Sequence, residues 1–346
     1  MIRVSARVEE IEPYTAGEQA DGFIKLNTNE NPYPPSPQVE AVIKSFVSER
    51  LRLYPSVTAA AAVKAIAAYE GVGEDCVFVG NGSDEVLAFA FAALYDKEPV
   101  QFPDITYSFY PVYCKLFGVP FRTVALRDDF SVDFSAFSDE GGAVIANPNA
   151  PTALASSLDD IAALCERSKR IVLVDEAYID FADVPSAVRL LDRYDNIAVV
   201  KTLSKSYSLA GVRCGYMVAR PEVIRAMTAI KDSFNSYPVD RVCEAVCAAA
   251  VGDASYRDMT VRLVKSTRER IEKALDARGV FHTRSQTNFI FMEGSRELYL
   301  AFKDAGILVR HFDKPKLKNF LRVTVGTDAD MDEFLKVYDR LTLRAE

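Results

Sequence analysis

Lys205 is the residue whose type and surroundings most directly suggest chemistry. It ends the segment Thr202-Leu203-Ser204-Lys205, which follows the apolar run 197–200. A lysine beside hydroxyl groups can bind phosphate, stay a solvated charge, or form a Schiff base with an aldehyde. Lys205 alone leaves these three alternatives open, so the neighbouring motifs must decide between them.

Asp175 and Arg213 are charged residues on either side of Lys205 in the sequence. Asp175 follows the apolar run 171–174, where a carboxylate either caps a turn or pairs with a buried cation such as a protonated pyridine nitrogen. Arg213 can clamp a phosphate with two parallel hydrogen bonds, or it can form a surface ion pair of little energetic value. Both residues are therefore candidates for binding a charged cofactor.

A glycine-containing segment, Gly80-Asn81-Gly82-Ser83-Asp84, joins a predicted strand to a predicted helix. Glycines let the backbone approach a ligand closely, and free N–H groups at a helix start suit a phosphate. The alternative is a plain turn in which Ser83 or Asp84 caps the helix. The segment is not a dinucleotide-binding fingerprint, because Glu85 stands where the third glycine is required.

These motifs follow short apolar runs that alternate with helical patterns. The runs lie at 77–79, 100–102, 143–146, 171–174 and 197–200. Fully apolar strands that alternate with helices predict an α/β fold with a mostly parallel sheet covered on both faces. Ligands bind beyond the carboxyl ends of such strands, so we expect the motifs to meet there. After Pro238 long helices and two further strand signals predict a second, smaller α+β domain.

Composition narrows the class of protein. A chain of 346 residues, 49% of them hydrophobic, can form one large domain and a small one. A net charge of −8 argues against nucleic-acid or anionic-membrane partners, and the longest apolar run, Val86–Tyr95, is too short to cross a bilayer. Two histidines are too few for a His-rich metal site, and we predict no metal. The six cysteines form no C-x-x-C pair, which predicts reduced, buried thiols in a cytoplasmic protein, with Cys243 and Cys247 as core packing.

Three motifs in order resemble the fold-type I, class II aminotransferases, which depend on pyridoxal 5′-phosphate (PLP). They are Asp175-Glu176-Ala177-Tyr178, Thr202-Leu203-Ser204-Lys205 and Leu209-Ala210-Gly211-Val212-Arg213-Cys214-Gly215. With Asn27-Thr28-Asn29-Glu30-Asn31-Pro32-Tyr33 and Leu321-Arg322-Val323-Thr324-Val325-Gly326, the resemblance covers nearly the whole chain and is closest to the histidinol-phosphate aminotransferase family.

The resemblance implies a fold and an activity. It implies a mostly parallel, seven-stranded sheet in a large PLP-binding domain at 31–240, a smaller α+β domain at 241–346, and an N-terminal arm at 1–30. It also implies a cytoplasmic homodimer with shared active sites. The implied reaction is transamination between L-histidinol phosphate and 2-oxoglutarate in histidine biosynthesis, giving imidazole acetol phosphate and L-glutamate.

The resemblance further implies a role for each motif. Lys205 carries PLP as a Schiff base and moves a proton, Asp175 pairs with the pyridinium nitrogen, and Tyr178 hydrogen-bonds the phenolic oxygen. Tyr107 stacks on the ring. The residues implied around the cofactor phosphate are Gly82, Ser83, Asp84, Thr202, Ser204 and Arg213, with Tyr54 reaching across a dimer interface. The residues implied on the substrate side are Tyr14, Asn29, Arg310 and Arg322.

The sequence departs from the family pattern at one turn. The family's usual Asn-Pro-Asn-Asn-Pro-Thr-Gly is here Asn147-Pro148-Asn149-Ala150-Pro151-Thr152-Ala153. Ala150 thus stands where an asparagine normally donates to the cofactor's phenolic oxygen. Either Asn149 supplies that donor from a shifted backbone or Tyr178 acts alone, and we expect the first.

Several other interpretations stay open. Aromatic aminotransferases and threonine-phosphate decarboxylases share the cofactor and also need an anion site. Arg310 and Arg322 can instead form ordinary ion pairs, for which Asp313 and Asp328 are available. A nucleotide-binding α/β protein without PLP would explain the sheet but not the order and spacing of the aspartate, tyrosine, lysine and arginine motifs.

Overall fold

The computed structural model describes residues 9, 11–13 and 17–342. In chain order its strands are β1 (Ile24–Lys25), β2 (Val77–Asn81), β3 (Val100–Pro103), β4 (Phe121–Val124), β5 (Ala143–Ala146), β6 (Val172–Asp175), β7 (Ile197–Thr202), β8 (Cys214–Ala219), β9 (Phe289–Glu293), β10 (Ile307–Leu308), β11 (Arg310–His311) and β12 (Phe320–Thr324). Its α-helices are α1 (Pro37–Ser45), α2 (Ala60–Glu70), α3 (Gly82–Leu94), α4 (Tyr110–Phe117), α5 (Leu158–Arg167), α6 (Pro221–Phe234), α7 (Arg241–Gly252), α8 (Ala254–Asp276), α9 (Arg296–Asp304) and α10 (Asp328–Thr342). Short 3₁₀ turns occupy Ser48–Arg52, Glu74–Cys76, Phe134–Ala136, Ile179–Phe181 and Ala187–Leu190.

Seven strands form the central sheet in the order β2-β8-β7-β6-β5-β3-β4. Strand β8 runs antiparallel to both β2 and β7, and the pairs β7–β6, β6–β5, β5–β3 and β3–β4 are parallel. Every residue of β5, β6 and β7 is buried. The predicted α/β fold with a mostly parallel, seven-stranded sheet is confirmed.

Helices cover both faces of this sheet. Along β6, Val172 and Val174 belong to one apolar cluster and Leu173 to another, as the alternation of side chains in a strand requires. The first cluster continues into α2, α5 and α7, and the second into α3, α4 and α6. Since both faces are packed, polar ligands can reach the sheet only at its edges and strand ends.

The C-terminal part of the chain builds a smaller α+β unit. Strands β11, β12 and β9 pair in that order, all antiparallel, and their apolar residues pack with α8, α9 and α10. Strand β1 pairs in parallel with β10, and the N–H of Thr324 donates to the carbonyl of Leu26 at 2.9 Å. The N-terminal segment is thus attached to the smaller unit.

The packing of helix α7 indicates where the boundary between the two domains lies. Its residues Cys243, Val246 and Cys247 share an apolar cluster with Ala62 and Ile66 of α2. Its packing partners therefore belong to the large domain, although the sequence assigned residues from 241 onward to the small one. We propose that the boundary follows α7.

Three buried cysteine sulfurs meet at the start of β8. The Sγ atoms of Cys214 and Cys247 are in contact, with Cα atoms 6.8 Å apart, and the Cys243 Sγ lies 3.8 Å from the Cys247 Sγ. All three are buried, as expected, and the prediction of reduced thiols stays a prediction. Cys214 comes from β8 and the other two from α7, a proximity that sequence spacing does not reveal.

Among the residues that the structure describes, no helix is both long enough and apolar enough to cross a membrane.

Candidate active site

A cavity of about 400 Å³ lies where β6 and β7 end and α3 begins. Residues from distant parts of the sequence line it together. The predicted site residues among them are Asn29, Ser83, Asp84, Tyr107, Asp175, Tyr178, Thr202, Ser204, Lys205, Arg213, Arg310 and Arg322. The strand ends therefore bring together the motifs that the sequence singled out, at the sheet edge where they were expected.

One end of the cavity is formed by the start of α3 and by Arg213. Ser83 and Asp84 lie in the first turn of the helix, where N–H groups have no partner within the helix. The Arg213 guanidinium lies 3.2 Å from the Asp84 carboxylate. A helix start, hydroxyl groups and a guanidinium together suit a phosphate group.

Position 82 requires glycine because of its left-handed backbone conformation and because Arg213 lies close to it. Its φ is +78°, and a Cβ there would lie 2.5 Å from a guanidinium nitrogen of Arg213. A Cβ at Gly215 on β8 would lie 2.2 Å from the backbone nitrogen of Ser83. Both glycines let the strand, the helix start and the arginine approach one another closely enough to form a cradle.

Asp175 ends β6 as a buried carboxylate in the cavity wall. Its Oδ2 accepts a 2.8 Å hydrogen bond from the Tyr110 hydroxyl, and its Oδ1 accepts one from the N–H of Ala177 at 3.2 Å. Burial raises the pKa of Asp175 to about 6, although the bond from Tyr110 acts in the opposite direction. A cation placed against this carboxylate would compensate its burial.

Lys205 and Tyr178 face the same cavity. The Lys205 Nζ lies 5.8 Å from the centre of the Tyr178 ring and 3.4 Å from the carbonyl oxygen of Thr28. The Tyr178 oxygen accepts a 2.9 Å hydrogen bond from the Asn29 amide. Because that oxygen already accepts a bond, the phenolic proton is available to donate to a ligand.

Asn29 connects the two domains at the site. Its side-chain oxygen accepts a bond from the Thr324 hydroxyl at 3.1 Å, and its backbone N–H lies 2.9 Å from the same hydroxyl. Asn29 has a φ of 57°, a left-handed conformation that asparagine tolerates better than most residues. Thr324 of β12 thus positions Asn29, which in turn contacts Tyr178.

Arg310 and Arg322 approach the cavity from the small domain. They are register partners on β11 and β12. The Arg322 guanidinium lies over the Phe289 ring at 5.3 Å and donates to the carbonyl of Asn27 at 2.9 Å. Two adjacent guanidinium groups at one side of a cavity suit an anionic substrate.

The two acids considered as ion-pair partners for these arginines have partners of their own. Asp313 lies 3.1 Å from Arg296, and Asp328 lies 3.0 Å from Arg270.

The expectation that Asn149 donates to the cofactor is replaced by a structural role. Both of its amide donors are used, on the carbonyl of Ile105 and on the Thr152 hydroxyl, each at 2.9 Å. Its oxygen accepts from Thr106 at 2.8 Å. Ala150 lines the cavity instead, as does Tyr178.

Two other predicted residues stand apart from the cavity wall. Tyr54 is 78% exposed and stacks on Tyr237 with ring centres 4.8 Å apart, so within one chain it does not line the cavity. Tyr14 lies outside the described residues. Their predicted roles at a neighbour's phosphate and at the substrate stay predictions.

Tyr110 is a residue near the chemistry that was not predicted. The sequence signal that could have indicated it is its position three residues after Tyr107, whose ring contacts the Tyr110 ring edge-on just before α4 begins.

The residues of the cavity fit PLP, the cofactor that the sequence resemblance implies. The cradle at Gly82 suits its phosphate, and the buried acid at Asp175 suits a protonated ring nitrogen. Tyr178 offers a donor for its phenolic oxygen, and the Lys205 amine lies in the same cavity. Each charged or polar part of the cofactor thus has a partner of suitable charge.

The sequence of this chain is similar to those of known aminotransferases. Residues 21–337 match the family model described as aminotransferase class I and II. Histidinol-phosphate aminotransferase of Chromohalobacter salexigens is 48% identical over 344 residues, which cover 97% of each chain. Histidinol-phosphate aminotransferase of Lactococcus lactis subsp. cremoris is 45% identical over 340 residues, 95% of each chain.

Solved structures show the same fold. Histidinol-phosphate aminotransferase from Sinorhizobium meliloti in complex with pyridoxal-5′-phosphate has a TM-score of 0.85 at 22% identity, covering 96% of this chain and 95% of that one. Aspartate aminotransferase from Thermus thermophilus with maleate has a TM-score of 0.83 at 17% identity, covering 98% and 100%.

Proposed function

This chain belongs to the class I and II aminotransferases, and we propose that it transfers the amino group of L-histidinol phosphate to 2-oxoglutarate. The products are imidazole acetol phosphate and L-glutamate, in histidine biosynthesis. The observation that carries the proposal is the meeting of Asp175, Tyr178, Lys205 and Arg213 around one cavity. A nucleotide-binding protein would have no need for this set of partners.

PLP supplies an electron sink for the carbon next to the transferred amino group. The protein's part is to hold and orient its ligands. Arg213, Ser83 and the start of α3 would hold the phosphate, and Asp175 would keep the ring nitrogen protonated. Lys205 would hold the cofactor covalently, and its amine would move the proton at the substrate carbon.

The substrate proposal rests on the relatives and on the two arginines of the small domain. L-histidinol phosphate carries a phosphate, and 2-oxoglutarate carries a second carboxylate, so one anion site can serve the two in turn. Arg310 and Arg322, paired across β11 and β12, supply such a site. We also propose that the protein is cytoplasmic.

A homodimer is a further part of the proposal. Large apolar side chains are exposed along residues 43–57 and at Phe234 and Tyr237, which we call the apolar patch. Lys231 donates to the carbonyl of Val57 at 2.9 Å and Arg241 to that of Leu53 at 3.1 Å, so the parts of the patch are joined. Exposed patches of this kind mark association sites. Burial of the patch against a second copy would carry Tyr54 towards the neighbour's cofactor.

Cofactor loading gives the first test. The purified protein should turn yellow with PLP, and Lys205→Ala should abolish the lysine-bound absorbance while Lys169→Ala, a change at an exposed lysine, should keep it. Loss of the proton carrier alone should lower the activity of Lys205→Ala by about 10²–10⁴-fold. Loss of the covalent link should lower it further. A wild-type protein that stays colourless with PLP contradicts the proposal.

A single half-reaction tests the substrate. Histidinol phosphate should convert the loaded enzyme to its pyridoxamine form, and phenylalanine should do so much less efficiently. If phenylalanine is the better donor, the enzyme is an aromatic aminotransferase. With L-threonine phosphate as the substrate instead, release of CO₂ without amino transfer to 2-oxoglutarate would indicate a decarboxylase.

A further inference from the structure

Tyr110 is the first residue of α4 and is fully buried behind the cavity. Its hydroxyl donates to the Asp175 Oδ2 at 2.8 Å, whereas the other carboxylate oxygen accepts a longer bond from the backbone of Ala177. Tyr110 is thus the side chain that hydrogen-bonds Asp175 among the contacts of the described residues. Neither the sequence motifs nor the family resemblance assigned it a role.

We propose that Tyr110 is a positioning residue that keeps Asp175 ionised and aimed at the ring nitrogen of the cofactor. The inference rests on the proposed function, since it concerns how this chain holds PLP. A donor to a carboxylate stabilises its charged form, and a charged carboxylate is what keeps a pyridine nitrogen protonated. Without this donor the proton shared by the two groups shifts towards the carboxylate.

The Tyr110 ring is held so firmly that its hydroxyl has little freedom to turn away. It stacks on Phe91 with centres 6.0 Å apart and contacts Phe102 edge-on at 5.7 Å. It also contacts Tyr107 edge-on, with centres 5.7 Å apart. Since Tyr107 lines the cavity, Tyr110 supports two groups that meet the cofactor: the acid and the stacking ring.

Other ionisable groups act on Asp175 and have to be separated from Tyr110. Burial dominates its pKa, Asp84 on α3 raises it, and Lys205 after β7 lowers it. Tyr113, one turn further along α4, interacts with Asp175 only through charge, because its hydroxyl donates to the backbone carbonyl of Asp84. Burial and the Asp175 charge raise the pKa of Tyr110 well above its ordinary value, so Tyr110 remains a donor throughout the working range.

The test compares Tyr110→Phe with Tyr95→Phe in the PLP-loaded protein. Tyr95 is the matched control because its ring also packs on Phe91, and its buried hydroxyl donates to the backbone of Ala143, away from the cavity. Tyr110→Phe should lower kcat by roughly 10- to 100-fold, the range for a hydrogen bond to a charged group. The apparent pKa on the acid side of its pH–activity profile should rise by about one unit, which is a tenfold change in the acid dissociation constant.

A spectroscopic readout separates this role from a structural one. With PLP labelled with ¹⁵N in its ring, Tyr110→Phe should shift the nitrogen resonance towards that of unprotonated pyridine, and Tyr95→Phe should not. If Tyr110→Phe fails to fold, 3-fluorotyrosine at position 110 keeps the shape and strengthens the donor. That protein should move the acid limb to lower pH.

An unchanged acid limb and an unchanged nitrogen resonance in Tyr110→Phe, or an unmoved limb with fluorotyrosine, would overturn this inference and leave the proposed function standing. Failure of the wild-type protein to bind PLP would remove both.

Discussion

At the scale of single residues, Gly82 is the position where backbone conformation and ligand binding meet most closely. An alanine there would suffer left-handed strain of about 1–2 kcal/mol and would push on Arg213. Gly71→Ala is the matched control, since its φ is +74° and a Cβ there would meet nothing within 4 Å. We expect similar losses of stability in both variants but weaker PLP binding only in Gly82→Ala, measured by fluorescence titration. Equal affinities would show that the cradle does not hold the phosphate.

Asp175 makes a second prediction, about pH. Its folded pKa of about 6 lies above the roughly 3.9 of an unfolded aspartate, so the folded protein binds this proton more tightly. The resulting stability is complete below about pH 4 and is lost as pH rises through about 6. Between these limits the cofactor-free protein should lose roughly 3 kcal/mol more than Asp175→Asn does, at about 1.36 kcal/mol per unit of pKa.

Urea denaturation of both cofactor-free proteins across this range measures the difference, because other titrating groups contribute equally to each. Parallel pH profiles would contradict the raised pKa.

Single residues also show where sequence analysis reached its limit at the site. Lys205, Asp175 and Arg213 belong to continuous motifs at strand ends, so topology alone brought them into one cavity. Asn149 was misjudged because its partners Ile105 and Thr106 come from a separate loop, which no spacing in the sequence reveals. Tyr110 was missed because its bond to Asp175 joins residues 65 positions apart.

At the scale of elements, a buried lysine ties α2, β7 and the end of β6 together behind the cavity. The Lys201 Nζ lies 2.8 Å from a carboxylate oxygen of Glu70 and 3.6 Å from one of Glu176. Burial raises the pKa of Glu176 to about 7; Lys201 lowers it, and the nearby Glu70 raises it. One positive charge thus compensates two buried acids.

Lys201→Met should therefore destabilise the protein by about 3–5 kcal/mol, because it leaves buried carboxylates without a cation. Lys231→Met is the control: Lys231 is equally buried, but it bonds to backbone carbonyls and pairs with the exposed Asp232. Chemical denaturation should show a clearly smaller loss for Lys231→Met. In the Lys201→Met background, Glu176→Gln should recover part of the lost stability. Equal losses of stability in Lys201→Met and Lys231→Met would contradict the argument.

The elements themselves were predicted unevenly, for physical reasons. Strands β2, β3, β5, β6 and β7 were predicted because buried parallel strands are continuous apolar runs. Helices α5, α6 and α9 were not predicted, although Ser157 and Ser295 cap two of them and Pro221 begins the third. Edge strand β4 was not predicted from the sequence, because most of its residues are exposed and it therefore lacks a continuous apolar run.

At the scale of the whole molecule, the apolar patch predicts the oligomeric state. Leu53→Asp should convert a dimer to monomers in sedimentation velocity, because a charge in the buried interface has no partner. Leu300→Asp is the control, since Leu300 is 47% exposed against 49% for Leu53 but lies outside the patch. Monomeric Leu53→Asp should also bind PLP more weakly if Tyr54 reaches the neighbour's phosphate. A wild-type monomer at all concentrations contradicts the dimer.

The contact between Asn29 and Thr324 of β12 has a consequence for the order in which the site can form during synthesis. Asn29 leaves the ribosome early, whereas Thr324, the residue that positions it, lies 295 positions later. All seven strands of the central sheet have emerged long before that point. The nascent chain can therefore assemble its cofactor-binding scaffold while Tyr178 still lacks its hydrogen-bonding neighbour. We therefore expect the hydrogen bond from Asn29 to Tyr178 to be held in place only after β12 has left the ribosome.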